Sequence, residues 1–129
     1  MKVLVDTSVW IDFFANTLPT KKARRLERWL DSEVVVMADI VKHELLVGAA
    51  TDLEFENLND LLSALPPVLM EPEDHRGFNR FGFELKKQGL LGSYTDVAIA
   101  FLARRHRLAV FSTDRYFARL SDRKIIQLI

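Results

Sequence analysis

The sequence predicts a three-layer α/β/α sandwich on a central parallel sheet, and three observations lead there. The strongest strand signals are short apolar runs with little alternation, helical stretches stand between those runs, and hydrophobic residues make up 49% of the chain. Unbroken apolar runs suit parallel strands covered on both faces. Strands alternating with helices imply an α/β sandwich. With 129 residues, no repeat and no Gly/Ser linker, the chain is expected to form one domain, residues 1–129, with its own core.

The first strand is read at Val3-Leu4-Val5. A helix is predicted over 20–31, a second strand at Val34-Val35-Val36-Met37, and helices over 39–50 and 52–64. Thr51 with Glu54 has capping-box spacing, and Pro66-Pro67 ends the helix before it. A short strand at 68–70 is followed by a helix over 72–88, with Pro72 in its first turn and Gly89 as its stop. Ser93 with Asp96 opens a helix over 94–105, and strands at Leu108-Ala109-Val110-Phe111 and Ile125-Ile126-Gln127-Leu128-Ile129 complete the chain. The order reads βα(α)βααβαβαβ.

The chain has no cysteine, which excludes a disulfide framework, a thiolate metal site and a cysteine nucleophile. The apolar run at the N-terminus is too short for a secretory h-region or a membrane span, so a soluble cytoplasmic protein is expected, with no membrane partner. The 18 basic and 18 acidic residues cancel, and the whole-protein field does not announce a nucleic-acid binder. Local clusters do exist: Lys21, Lys22, Arg24, Arg25 and Arg28, then Arg104, Arg105, His106 and Arg107. On charge alone, the solvated helix face is the favoured reading of each.

Four carboxylates carry the chemistry. Val3-Leu4-Val5 runs into Asp6, and the run ending at Phe111 continues through Ser112-Thr113 to Asp114. Ligands of open parallel sheets bind beyond the carboxyl ends of strands, which puts both acids on the functional edge. Glu44 falls on an otherwise apolar helix face with Ile40 and Gly48, where an unpaired charge is costly. Asp96 stands in the first turn of a segment apolar all round, at the favourable end of the helix dipole. Singly, Asp6 is a turn residue, Asp96 a cap and Asp114 a helix start. Together, with no basic residue at similar positions, they would repel in a partly dry pocket, and a divalent cation resolves that repulsion. Oxygen-only ligands favour Mg²⁺ or Mn²⁺ over zinc. Such a site suits hydrolysis of a phosphodiester by metal-activated water. A hydroxyl of Thr7, Ser8 or Thr113 could orient that water or a phosphate, with turn or capping chemistry as the alternative for Ser8 and Thr113.

The stretches Val5-Asp6-Thr7-Ser8-Val9-Trp10-Ile11-Asp12, Glu44-Leu45, Thr95-Asp96-Val97-Ala98-Ile99-Ala100 and Ser112-Thr113-Asp114-Arg115-Tyr116-Phe117, in that order and spacing, resemble the PIN-domain ribonucleases. Within that family the chain looks most like the VapC toxins of toxin–antitoxin pairs. The resemblance implies a PIN-like α/β/α fold, a Mg²⁺ or Mn²⁺ site and cleavage of RNA. It matches Asp6, Glu44, Asp96 and Asp114 to the acidic ligands, and Thr7, Ser8 and Thr113 to polar positions beside them. Many relatives carry another Asp two residues after the fourth acid, where this chain has Tyr116. The expected partners are an RNA substrate, a VapB-like antitoxin whose tail places an Arg among the acids, and a second copy in a homodimer.

Rival readings lack residues. A phosphatase of the HAD type needs a second aspartate where Ser8 stands, and a receiver domain needs an acidic pair after the first strand. The alternative from another class is a non-catalytic PIN-like module that binds RNA or protein. Asp12 reads as a solvated helix acid, and His43, His75 and His106 share no ligand spacing. Met37, Phe78, Phe81 and Phe83 read as core or interface, and Trp10, Phe13 and Phe14 either as core or as an apolar surface for a partner.

Overall fold

Five short parallel strands form the centre of a computed structural model that describes all 129 residues. They are β1 (Val3–Val5), β2 (Val35–Ala38), β3 (Pro67–Val68), β4 (Ala109–Phe111) and β5 (Gln127–Leu128). Their order in the sheet is β3-β2-β1-β4-β5, and every pair is parallel. Every residue of β1, β2 and β4 is buried, as expected for strands without polar alternation. The helices are α1 (Thr7–Phe14), α2 (Thr20–Asp31), α3 (Asp39–Val47), α4 (Asp52–Ser63), α5 (His75–Lys87), α6 (Tyr94–Arg105) and α7 (Arg115–Asp122). This is the α/β architecture the sequence predicts.

Two helices, α2 and α6, start and stop where expected. The stretch read as 39–50 ends at Val47, with Gly48 as its C-cap, and the one read as 52–64 ends at Ser63. The stretch read as 72–88 opens as a 3₁₀ turn, Pro72–Asp74, and becomes α-helical at His75. There Glu71 and Asp74 cap each other: the Glu71 side chain accepts from the Asp74 amide, while the Glu71 amide donates to Asp74 Oδ2 at 3.0 Å. Both α5 and α6 lie between β3 and β4, where the stretches 72–88 and 94–105 predict two helices, although the expected order shows a single helix there.

The strand bounds shift by a residue or two, to 35–38, 109–111 and 127–128. The short strand moves from 68–70 to Pro67–Val68. Proline is acceptable there because β3 is an edge strand, where a missing N–H removes no ladder bond.

One cluster of 31 buried residues fills the space around the sheet. Val97, Ala98, Ile99, Ala100, Leu102 and Ala103 make α6 buried along most of its length. Burying a side chain such as Ile99 or Leu102 contributes about 1.5–3 kcal/mol, so the helix carrying Asp96 is firmly seated. Met37, Trp10 and Phe78 belong to the core; Phe13 and Phe81 pack against it, while Phe14 and Phe83 are exposed. No helix is long and apolar enough to cross a membrane.

Candidate functional site

The chain leaves β1 in one direction to build β2 and β3, and later returns to the other side of β1 to build β4 and β5. The crevice beyond the carboxyl ends of β1 and β4 is therefore the switch point of the sheet, where open α/β folds bind ligands. In register, Val5 lies opposite Phe111, and the Asp6 amide donates to the Phe111 carbonyl at 3.0 Å. The residues that follow, Asp6 and Ser112, consequently meet at the rim.

Asp6 is 4% exposed and is the N-cap residue of α1 without using its carboxylate as the cap. Instead, Asp6 Oδ2 accepts from Ser8 Oγ at 2.8 Å and from Ser112 Oγ at 2.8 Å. Burial pushes its carboxyl above the ordinary aspartate value; the Ser8 and Ser112 hydroxyls and the Thr7 amide oppose the rise, and the Asp114 charge adds to it. Glu44 is half-buried on α3 beside the core residues Val41 and Leu45. Its Oε1 accepts from Thr7 Oγ1 at 2.6 Å, which ties α3 to the first residue of α1.

Asp96 stands on the first turn of α6, and Ser93 caps that helix by accepting from the Asp96 amide at 3.2 Å. The Asp96 carboxyl is also raised: desolvation is the main cause, the Ser93 hydroxyl opposes it, and the charges of Asp6, Asp114 and Glu44 reinforce it. Asp114 is the N-cap of α7, its Oδ1 accepting from the Tyr116 amide at 2.9 Å. Exposure increases from buried Asp6 through half-buried Glu44 and Asp96 to exposed Asp114. None of the four takes part in an ion pair; the salt bridges of the chain join Arg80 and Lys87 to Glu84, and Arg105 to Asp74.

The expected hydroxyls divide. Ser8 touches Asp6, and Thr7 touches Glu44. Thr113 is exposed and makes no side-chain hydrogen bond, whereas its neighbour Ser112 is buried, donates to Asp6 and accepts from the Asp114 amide at 3.0 Å. The register puts Ser112 beside Asp6, and the chain turns Thr113 outward. Tyr116, at the position where the resemblance leads one to expect a further acid, is buried and donates its hydroxyl to the Leu90 carbonyl at 2.9 Å. Asp12 accepts from Thr17 Oγ1 at 3.0 Å, closing the α1–α2 turn. His43, His75 and His106 are exposed.

The donor set is all carboxylate oxygen, unpaired and mutually repelling, which suits a hard divalent cation. No three His, Cys, Asp or Glu side chains converge closely enough to grip an ion by themselves. Magnesium usually retains several waters and takes one or two carboxylates directly, and so does not require such convergence.

The relationships agree with this geometry. A curated relative, Ribonuclease VapC11 of Mycobacterium tuberculosis (strain CDC 1551 / Oshkosh), is 29% identical over 119 residues, covering 89% of this chain and 88% of the relative. Among solved structures, VapBC2 from Rickettsia felis bound to a promoter DNA fragment superposes with a TM-score of 0.80 at 20% identity, covering 100% of this chain and 98% of the other. DNA-bound VapBC from Salmonella typhimurium gives 0.78 at 22% identity, with 100% and 97% covered. These two share the fold. The family model described as "PIN domain" matches residues 3–123, and the chain belongs to the PIN-domain family.

Proposed function

We propose that this chain is a Mg²⁺- or Mn²⁺-dependent endoribonuclease that serves as the toxin of a toxin–antitoxin pair. The observation that carries the proposal is the set of four unpaired carboxylates at the switch point, with Asp96 within electrostatic reach of Asp6, Glu44 and Asp114. The relative named as a ribonuclease and the fold shared with VapBC complexes support it.

Asp6, Glu44, Asp96 and Asp114 would hold the metal. Once bound, it would neutralise phosphate oxygens and lower the pKa of a coordinated water. The remaining work falls to the chain. Ser8 and Ser112 orient Asp6 through its Oδ2, and Thr7 orients Glu44 through its Oε1. Ser93 takes over the capping of α6, so that Asp96 need not spend its carboxylate there. A substrate phosphate entering without a cation would meet only negative charge. The same charge suits an antitoxin, since an Arg guanidinium can satisfy a carboxylate with paired bonds.

The purified chain should cleave RNA in Mg²⁺ or Mn²⁺ and stop in EDTA. Asp96→Asn and Glu44→Gln should each abolish cleavage while keeping a cooperative unfolding transition. Asp114→Asn should act more mildly, because Asn also caps helices well. RNA binding without cleavage in every divalent ion tried would replace the enzyme with a binding module.

A further inference from the structure

We infer that Tyr116 is a positioning residue of this site: a strap that holds the start of α6, and with it Asp96, beside Asp114. The inference rests on reading the four acids as a metal site.

Tyr116 reaches both sides of the rim. Its amide donates to Asp114 Oδ1 at 2.9 Å, and its hydroxyl crosses to the Leu90 carbonyl at 2.9 Å, in the segment between α5 and α6. Its ring is buried against Gly92, where a Cβ would stand 2.6 Å from the ring carbon Cζ. Gly92 therefore permits an approach that no other residue type would allow without displacing the ring. One turn along α7, Arg119 Nη2 donates to the Gly89 carbonyl at 3.3 Å, a second tie to the same segment. The segment itself is tightly turned: Gly89 adopts a φ of 69°, and the Leu90 amide returns to the Leu85 carbonyl at 2.8 Å. It leads directly into Ser93, the cap that holds the Asp96 amide.

Two like charges at the starts of α6 and α7 tend to separate. The strap opposes that separation with an uncharged side chain, so it adds nothing to the repulsion it restrains. An aspartate at position 116 would add another negative charge and would not fill the space beneath Gly92.

Tyr116→Phe retains the ring and removes the hydroxyl that bonds the Leu90 carbonyl. The strap predicts faster amide exchange through residues 90–96 and Mn²⁺ affinity lower by about tenfold, the low end for a group that orients metal ligands. In cleavage assays kcat should fall at limiting Mn²⁺ with KM for RNA unchanged, and excess Mn²⁺ should restore the rate. Gly92→Ala should lower Mn²⁺ affinity from the other side of the strap. Tyr116→Phe with wild-type exchange and wild-type Mn²⁺ affinity would overturn the strap, as would a variant that loses stability alone. Wild-type protein that binds no Mn²⁺ would remove the metal-site reading, and the strap with it. Wild-type protein that binds Mn²⁺ but cuts no RNA would remove only the nuclease, and an affinity loss in Tyr116→Phe would still uphold the strap.

Discussion

Replacing Ser112 with Ala tests whether the site depends on the hydroxyl the structure places at its centre. Ser112 Oγ donates to Asp6 Oδ2 at 2.8 Å and accepts from the Asp114 amide at 3.0 Å. A hydrogen bond to a charged group contributes about 1.5–3 kcal/mol and a neutral one about 0.5–1.5 kcal/mol. Removing both should cost about 2–4.5 kcal/mol. For a chain of this length that is a fall of roughly 6–20 °C in Tm, measurable by thermal unfolding in EDTA. Because the first bond is to a carboxylate, the cost should shrink by about 1 kcal/mol in an Asp6→Asn background, where the bond becomes neutral. Cleavage should fall about 10–100-fold, as is usual when a group that orients a ligand is removed. Thr113→Ala is the control and should stay within about 0.5 kcal/mol of wild type, like other exposed substitutions. If Ser112→Ala unfolds and cleaves like wild type while Thr113→Ala is impaired, the assignment of the hydroxyl is wrong.

The metal-free protein should lose stability as pH rises above the ordinary aspartate value. Asp6 and Asp96 have carboxyls raised by burial, so their stabilising contribution is full below the ordinary aspartate value and is lost as pH climbs through the folded values. Asp74 acts in a separate window: the Glu71 amide foremost, and then Arg105, hold its carboxyl low, so its contribution disappears only at more acid pH. Urea midpoints at pH 5 and pH 7.5 in EDTA should therefore differ in wild type and differ less in Asp96→Asn, where Asp6 alone keeps a raised carboxyl; an unchanged difference would remove the electrostatic account. On α2, Lys21, Arg24 and Arg28 share an exposed face with Glu27 and Asp31, and Trp29 packs edge-on against Phe111, the residue before Ser112. Changing those three to Gln should reduce the salt slope of RNA binding by about 0.7 for each phosphate they no longer neutralise. An equal slope would return α2 to a solvated face. Arg25 is left in place because it stacks over Trp29 and Phe111, at 4.8 and 5.5 Å from their ring centroids.

The fold was legible where a single physical signal dominates. Runs without alternation at 3–5 and 108–111 predict buried parallel strands, and Ser93 with Asp96 predicts the start of α6, because both depend on neighbours in sequence. The acids were legible for the same reason: a carboxylate after a buried strand or on an apolar helix face is anomalous in one dimension. The hydroxyl was not. Choosing Ser112 over Thr113 requires the pairing of Val5 with Phe111 across strands more than 100 residues apart, and periodicity within one strand carries no register with another. Tyr116 was visible only as a missing acid, since its partners Leu90 and Gly92 lie on a segment with no distinctive pattern. Gly92 is plain in the sequence, but the ring that requires it comes from a helix more than 20 residues further along.

The rim tolerates four acids without a cation because of where the helices begin. Asp6 and Asp114 are N-caps of α1 and α7, and Asp96 stands on the first turn of α6, so three carboxylates face positive helix ends. Each such placement contributes about 0.3–1 kcal/mol, which offsets part of the repulsion and leaves the charge in place. A lysine or arginine would offset more, but it would occupy the space a metal needs. Three basic side chains on neighbouring elements are engaged elsewhere: Arg25 with Trp29 and Phe111, Arg105 with Asp74, and Arg119 with the Gly89 carbonyl. Glu44 is the exception among the acids, since it lies in the body of α3 with no helix end to face. Only Thr7 steadies it, through a hydroxyl on the first residue of α1. Dipoles and hydroxyls thus hold the acids in position without cancelling their charge. A hydrated divalent ion and an arginine from a partner would consequently compete for the same carboxylates.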